Sequence, residues 1–112
     1  MSELAKRKCK PCEGAGAVKP LDREGAKALG REVPKWTLRK DEPRLWREFT
    51  FKDFARAMKF VNAVAEVAEK EYHHPDIHIH WNKVKLVLWT HDLGGLSEND
   101  FIVAAKIDEL NG

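Results

Sequence analysis

The sequence has no apolar run that approaches the ~20 residues needed to cross a bilayer. Nor is its basic N-terminus followed by the apolar stretch that a signal peptide requires. We therefore expect a cytoplasmic protein that makes no membrane contact. Acidic and basic residues are mostly interleaved and leave a net charge of only +2. This balance argues against a nucleic-acid partner. The nearest thing to a segregated basic patch is residues 6–10, which we interpret as a solvated terminal tail.

Cysteine is scarce, with Cys9 and Cys12 alone in the chain. Their Cys-Lys-Pro-Cys spacing is typical of a redox pair or of half a zinc site. A redox pair normally opens a helix after a strand, whereas these two precede the turn-prone residues 13–17. We interpret them as reduced thiols in a flexible N-terminal arm over 1–20, followed by one domain over 21–112.

Apolar residues at three- and four-residue steps predict three helices. They cover about 23–32, 54–72 and 98–110. The expected caps are Asp22 for the first helix and capping boxes that begin at Thr50 and Ser97 for the others. The last helix is apolar nearly all round, so two surfaces must cover it. We favour another subunit as the second cover, with the first helix as the alternative.

Four short segments alternate apolar and polar side chains as strands do. They are 36–39, 45–49, 77–81 and 84–90. Asn82 and Lys83 suit a tight turn between the last two, because Asn tolerates the left-handed backbone conformation. Short connections favour antiparallel pairing. We therefore predict an α+β fold, with a four-stranded antiparallel sheet and helices on one face, in the order α-β-β-α-β-β-α.

All five histidines lie between His73 and His91. Because imidazole gains or loses a proton near neutral pH, this concentration points to proton transfer or metal binding. His73 and His74 end the long helix and His91 ends the last strand, so the three rings can meet at one rim of the fold. The structural alternative is that the first two are helix-end cations, which the helix dipole favours by ~0.3–1 kcal/mol.

His78 and His80 form a separate pair on one face of a strand, a spacing that suits metal chelation. A third ligand would have to come from Cys9, Cys12 or another chain. We favour the alternative, a solvated strand face.

Several motifs together resemble the pterin-4a-carbinolamine dehydratase family from about residue 36 to residue 110. They are Phe51-Lys52-Asp53-Phe54, Ala68-Glu69-Lys70, His73-His74-Pro75, Asn82-Lys83-Val84, Thr90-His91 and Gly95-Leu96-Ser97-Glu98 with Asp100. The resemblance implies dehydration of 4a-hydroxytetrahydrobiopterin to quinonoid dihydrobiopterin, which recycles tetrahydrobiopterin. It also implies the α+β fold, no metal or other cofactor, a pterin substrate as partner, and assembly into a homodimer or homotetramer.

The same resemblance implies roles for individual residues. His73 and His91 would be the acid/base pair, and His74, the third catalytic histidine, would mainly hold the pterin. Glu69 and Asp100 would set the orientation and charge of the rings while contributing to the substrate site. The remaining substrate-binding residues would be Tyr72, Pro75, Trp89, Thr90 and Asp92.

Three positions depart from the family pattern. Tyr72 stands where Asp is frequent, Ile77 where Trp is frequent, and Trp89 where a small residue is common. These changes bear on substrate contacts and leave the three histidines intact. A non-catalytic module that binds a pterin or a protein through the same rim is the alternative from another functional class.

Overall fold

A computed structural model of the protein describes residues 3–11, 17–39 and 42–110. Its regular elements, in chain order, are α1 (Arg23–Gly30), β1 (Thr37–Leu38), β2 (Leu45–Thr50), α2 (Phe54–Glu71), β3 (Asp76–His80), β4 (Lys83–Leu88) and α3 (Glu98–Leu110). Single 3-10 turns lie at Leu4–Lys6 and His91–Leu93. Within the described residues, no helix has the length and apolar character needed to span a membrane.

The four strands form one antiparallel sheet in the order β1-β2-β4-β3. Its two central strands pair over their full length, from Leu45 opposite Leu88 to Thr50 opposite Lys83. The predicted α+β fold and order of elements are therefore confirmed.

The core lies between one face of this sheet and the helices. Alternate residues of the two central strands point into it, as the period of two in a strand requires. The buried strand residues are Leu45, Phe49, Val84, Leu86 and Leu88, and α2 contributes Ala57, Phe60 and Val64. The opposite face carries exposed or half-buried residues, such as Glu48, Lys85 and His78. The helices are thus confined to one side.

The start of α2 differs from the predicted capping box. The N-cap is Asp53, whose side chain accepts a hydrogen bond from the Arg56 N–H at 2.8 Å. Thr50 instead lies at the end of β2, paired with Lys83. Asp is at least as good an N-cap as Thr. Thr50 does not cap the helix because it is paired with Lys83 in the sheet.

The β3–β4 turn also differs from the prediction. His80 pairs with Lys83, so the two turn residues are Trp81 and Asn82. Trp81, at φ 52°, adopts the left-handed conformation that was expected of Asn82. The Asn82 side chain instead donates to the Phe51 carbonyl at 2.9 Å, which ties the turn to the chain before α2.

The second cover of α3 comes from this chain itself, so the prediction that another subunit supplies it is wrong. Most of the helix is buried within the single chain: Asn99, Asp100, Phe101, Ile102, Val103, Ala104, Ala105 and Ile107. Residues 3–11, which we call the N-terminal strap, pack along it, and Leu4 is only 2% exposed.

This placement of the strap differs from the flexible arm predicted for residues 1–20. Leu4 and Ala5 are buried, and the Lys106 ammonium donates to the Ala5 carbonyl at 2.7 Å. α2 and the sheet leave part of the apolar surface of α3 uncovered. Burial of that surface explains why Leu4 and Ala5 dock there. Cys12 lies outside the described residues, and the boundary between residues 20 and 21 stays a prediction.

Candidate functional site

A buried imidazole–carboxylate pair joins the end of α2 to the start of α3. His73 Nε2 lies 2.6 Å from Asp100 Oδ1, and the two side chains are 7% and 0% exposed. An ionised carboxylate can only accept a hydrogen bond, so Nε2 carries the proton and Nδ1 is left for other chemistry. A buried charge is tolerated only when it is well paired, as this one is.

The second oxygen of Asp100 gathers two further donors. Oδ2 accepts from Thr90 Oγ1 at 2.8 Å and from the Ser97 N–H at 2.9 Å. Thr90 Oγ1 also lies 2.7 Å from Ser97 Oγ. Because Thr90 has a single hydroxyl proton and gives it to Asp100, Ser97 is the donor to Thr90. This network fixes the carboxylate in one orientation.

Local backbone geometry brings His73 to this position. The last residue of α2 is Glu71, and Tyr72 follows in the left-handed conformation at φ 52°. The His73 N–H then donates to the Ala68 carbonyl at 3.2 Å, which closes the helix with a left-handed C-cap. The helix therefore ends at Glu71, before the backbone restriction imposed by Pro75 applies. The turn directs His73 inward and leaves Tyr72 87% exposed.

His74 makes a different kind of pair on the surface. Its Nε2 lies 2.6 Å from Glu69 Oε2, with side-chain exposures of 55% and 78%. Solvent weakens such an exposed ion pair, so the contact orients the ring more than it stabilises the fold.

His91 packs against the ring of Trp89 at an interplanar angle of 42°. Its ring centroid lies 4.0 Å from that of Trp89, and the Arg44 guanidinium lies 3.6 Å from the Trp89 ring centroid. The Trp89 indole N–H donates to Asp76 Oδ2 at 3.1 Å. A planar guanidinium over an indole is a favourable cation–π arrangement.

Two routes therefore connect the segment 73–76 with the segment 89–91. One runs from His73 through Asp100 to Thr90, and the other from Asp76 to Trp89 and the adjoining ring of His91. The ends of α2 and β4 and the first turn of α3 meet at this place. It offers imidazole rings that can exchange protons, beside a fixed buried carboxylate.

The predicted site residues fall into three groups by exposure. Buried are His73, Thr90 and Asp100; half-buried are Pro75 and Trp89; exposed are Glu69, Tyr72, His74 and His91. The backbone of Asp92 belongs to the 3-10 turn at His91–Leu93, and its side chain lies outside the described part of the structure. The assignment of roles to these residues stays a prediction.

Ser97, Arg44 and Asp76 also take part in this network, and the sequence-based reasoning did not single them out as site residues. Ser97 was interpreted as a helix cap and as part of a family motif, and its spacing of three residues from Asp100 was the signal of a shared contact. No sequence pattern around Arg44 or Asp76 indicates a site residue. Each contacts Trp89 from elsewhere in the sheet: Asp76 begins β3, and Arg44 directly precedes β2.

The strand histidines do not form a metal centre within the described residues. His78 and His80 are exposed on β3, and no group of three or more His, Cys, Asp or Glu side chains in the described ranges could hold a metal ion.

A cavity of about 630 Å³ lies beside this site, between the start of α1 and the β1–β2 connection. Its apolar lining comprises Pro20, Leu21, Ala26, Leu38, Pro43 and Leu96. None of the three candidate catalytic histidines lines it. Gly95, which also lines the cavity, forms a bridge with Thr90, so the cavity adjoins the network without containing its proton-transfer groups.

Comparison of the sequence with known families and proteins gives a consistent result. Residues 19–110 match the profile of the family described as Pterin 4 alpha carbinolamine dehydratase. A Rubrobacter xylanophilus protein, provisionally named pterin-4-alpha-carbinolamine dehydratase, is 46% identical over 98% of this chain and 100% of its own length. An Arabidopsis thaliana mitochondrial pterin-4-alpha-carbinolamine dehydratase 2 is 42% identical over 98% of this chain and 60% of its own length.

Two solved structures share the fold. A transcriptional coactivator/pterin dehydratase from Brucella melitensis superimposes with a TM-score of 0.80 at 31% identity, over 84% of this chain and all of that one. A pterin dehydratase-like protein identified as a RuBisCO assembly factor in the alpha-carboxysome gives 0.60 at 29% identity, over 70% of this chain and 90% of that one.

Proposed function

The chain belongs to the pterin-4a-carbinolamine dehydratase family, and from this membership we propose that it dehydrates a pterin carbinolamine by histidine acid/base catalysis. The substrate would be 4a-hydroxytetrahydrobiopterin and the products quinonoid dihydrobiopterin and water. In a host with a pterin-dependent hydroxylase, this step would recycle tetrahydrobiopterin.

The observation that carries the proposal is the buried pair of His73 and Asp100, with Thr90 bound to the same carboxylate. A carboxylate that holds one ring nitrogen in a defined protonation state leaves the other nitrogen poised for proton exchange. Three fixed donors around a fully buried carboxylate are more than a helix start requires, which favours a role in chemistry over one in capping alone.

The reaction needs one proton delivered and one removed. Protonation of the hydroxyl on C4a lets it depart as water, while loss of the proton on N5 allows the C4a=N5 double bond to form. His73, through Nδ1, and His91 are the proposed pair for these two transfers, each of which is typically worth about 10²–10⁴ in rate. No redox change occurs, so the reaction needs no oxidant, reductant or other reactant.

The remaining predicted residues are assigned to binding and orientation. His74, held by Glu69, would hold the pterin at the rim, next to Tyr72 and Pro75. Trp89 would support His91 through their ring contact, and Asp92 would lie at the same edge. Thr90 is buried with its hydroxyl bound to Asp100, so we assign it to orienting that carboxylate rather than to direct substrate contact.

A stopped-flow assay with freshly generated 4a-hydroxytetrahydropterin, run as a function of pH, tests the proposal. We expect His73→Ala and His91→Ala each to lower kcat by about 10² or more while the circular dichroism spectrum stays that of the parent. An acid and a base that act together should give the parent a bell-shaped dependence of kcat on pH.

His78→Ala and His80→Ala are matched controls, because they remove exposed imidazoles from β3 and should leave kcat unchanged. A double variant at 73 and 91 that dehydrated the carbinolamine as fast as the parent would overturn the assignment of the site.

A second candidate function is a binding module that uses the same rim without catalysis. The observation in its favour is the structural similarity to a protein identified as a RuBisCO assembly factor. Tight binding of a reduced pterin with no acceleration of water loss would support this candidate over the first.

Self-association into a homodimer or homotetramer and a cytoplasmic location are further parts of the proposal. Light scattering on the purified full-length chain measures the mass directly, and a mass equal to the 12.9 kDa of one chain would exclude both oligomers.

A further inference from the structure

The N-terminal strap contacts the two segments that carry the buried pair. Cys9 and Lys10 lie where the end of α2 meets the first turn of α3. At this point the Cys9 N–H donates to Glu71 Oε1 at 2.8 Å. Next along the strap, the Lys10 N–H donates to Asn99 Oδ1 at 2.9 Å, and Asn99 Nδ2 donates back to the Lys10 carbonyl at 2.8 Å.

These contacts are partly buried and specific. Asn99 is 1% exposed, and both polar ends of its side chain are used by one residue of the strap. The Glu71 carboxylate is 10% exposed and has the Lys106 ammonium 3.9 Å from its other oxygen. Lys106 in turn donates to the strap at the Ala5 carbonyl. Buried polar groups satisfied in this way hold their neighbours in one arrangement.

The partners of the strap are sequence neighbours of the buried pair. Asn99 directly precedes Asp100, and Glu71 is the last residue of α2, two before His73. Tyr72 turns the chain immediately after Glu71, so the position of Glu71 determines the position of His73. Consecutive strap residues thus hold both sides of the 2.6 Å contact between His73 and Asp100.

We propose that the N-terminal strap is a positioning element of the catalytic site, which sets the His73–Asp100 contact through its main-chain bonds to Glu71 and Asn99. The proposal rests on the proposed function insofar as His73 acts on substrate. Catalytic groups must be held to within about 0.5 Å, and a 1 Å misplacement from a distant change can cost ~10² in rate.

The Cys9 thiol adds a weaker contact at the same place, since it donates to the Asn99 carbonyl with Sγ at 3.7 Å. Burial, reinforced by the neighbouring Glu71 carboxylate, raises the pKa of the Cys9 thiol to about 12. The thiol therefore stays protonated at neutral pH, in a form that is neither a good nucleophile nor a metal ligand. The main-chain N–H of Cys9, at 2.8 Å from Glu71 Oε1, makes the stronger of its two bonds to these segments.

Substitutions at position 9 separate the two groups. Cys9→Pro removes the N–H donor, whereas the matched control Cys9→Ala keeps it and removes only the thiol. In the full-length chain we expect Cys9→Pro to shift the imidazole resonances of His73 and to lower kcat about tenfold, with KM changed less than about threefold. Cys9→Ala loses only the weak thiol contact, so it should lower kcat less than about twofold and shift the His73 resonances much less than Cys9→Pro does.

A second pair tests the same bond from the side of α2. Glu71→Ala removes the acceptor and should reproduce the effect of Cys9→Pro, while Glu71→Gln keeps an acceptor oxygen and should restore most of the lost kcat. This pair decides the question if Cys9→Pro does not fold.

The proposal is overturned if folded Cys9→Pro and Glu71→Ala keep both the parental His73 resonances and the parental kcat. An equal loss in Cys9→Ala and Cys9→Pro would assign the effect to the thiol and overturn it as well. If the parent does not accelerate dehydration, the proposed function fails, yet the His73 resonances still decide whether the strap positions the ring.

Discussion

At the scale of single residues, Asp100 has the densest set of partners in the site. It accepts from His73, Thr90 and the Ser97 N–H, and its side chain is fully buried. A carboxylate in this position determines which nitrogen of His73 carries a proton. An isosteric amide would reverse that choice, because its NH₂ group must donate to Nε2.

We therefore expect Asp100→Asn to lower kcat by about 10² or more with a smaller change in KM. The ¹⁵N shifts of the His73 ring should report the proton moving to Nδ1. Asp108→Asn is the matched control: this carboxylate, also on α3, accepts from Trp36 and Arg47 and lies outside the site. Parental kcat in Asp100→Asn, with the ring tautomer changed, would show that the tautomer does not matter for turnover.

Cys9 supplies a second residue-scale prediction, on stability against pH. Its thiol has an ordinary pKa of about 8.5 in the unfolded chain, and burial raises the pKa of the folded form to about 12. Between those values the unfolded chain releases a proton that the folded chain keeps. Rising pH therefore favours unfolding over this window, and the effect is absent below it.

The free energy of unfolding should consequently fall more steeply with pH for the parent than for Cys9→Ala above about pH 8.5. Urea unfolding of both proteins at neutral pH and at about pH 10 measures the difference, and other alkaline titrations cancel between them. Parallel curves for the two proteins would contradict the raised thiol pKa.

At the scale of elements, α2 is the structure on which the site depends. Its C-terminal residue leads into the left-handed Tyr72 and the inward His73, so the register of the helix sets the position of the ring. The register begins at Asp53, which caps the helix and forms an ion pair with Arg56 at 3.0 Å.

Asp53→Ala should lower the free energy of unfolding by about 0.5–2 kcal/mol, the usual cost of losing an N-cap. Thr50→Ala is the control: the sequence pattern also makes it a candidate cap, but it is exposed at the end of β2 and should cost no more than about 0.5 kcal/mol. Equal losses in the two variants would contradict the helix start at Phe54.

At the scale of the whole molecule, the N-terminal strap is part of the core rather than an appendage. Leu4 is 2% exposed among buried apolar residues, and the strap covers a side of α3 that the sheet and α2 leave open. The chain thus closes around α3, most of which is buried, and its first described residues complete the cover.

Leu4→Ala should therefore destabilise the protein by about 2 kcal/mol or more in urea unfolding, as a buried leucine does. Leu110→Ala at the other end of the described chain, where Leu110 is 42% exposed, should cost less than about 1 kcal/mol. A loss below about 0.5 kcal/mol for Leu4→Ala would mean that the strap contributes little to stability.

The sequence alone determined the elements and the general place of the chemistry. Periods of two and of three to four are local properties, so α2, the strands and the Asp22 cap follow from neighbouring residues, and the histidine motifs mark the ends of α2 and β4.

Only the tertiary structure decided which distant groups meet. The strap on α3, the Arg44–Trp89 stack and the network of Asp100 with Thr90 depend on contacts between separate elements, as does the choice of Trp81 over Asn82 for the left-handed turn position. Such contacts have no local period, because they arise from the packing of elements after each has formed.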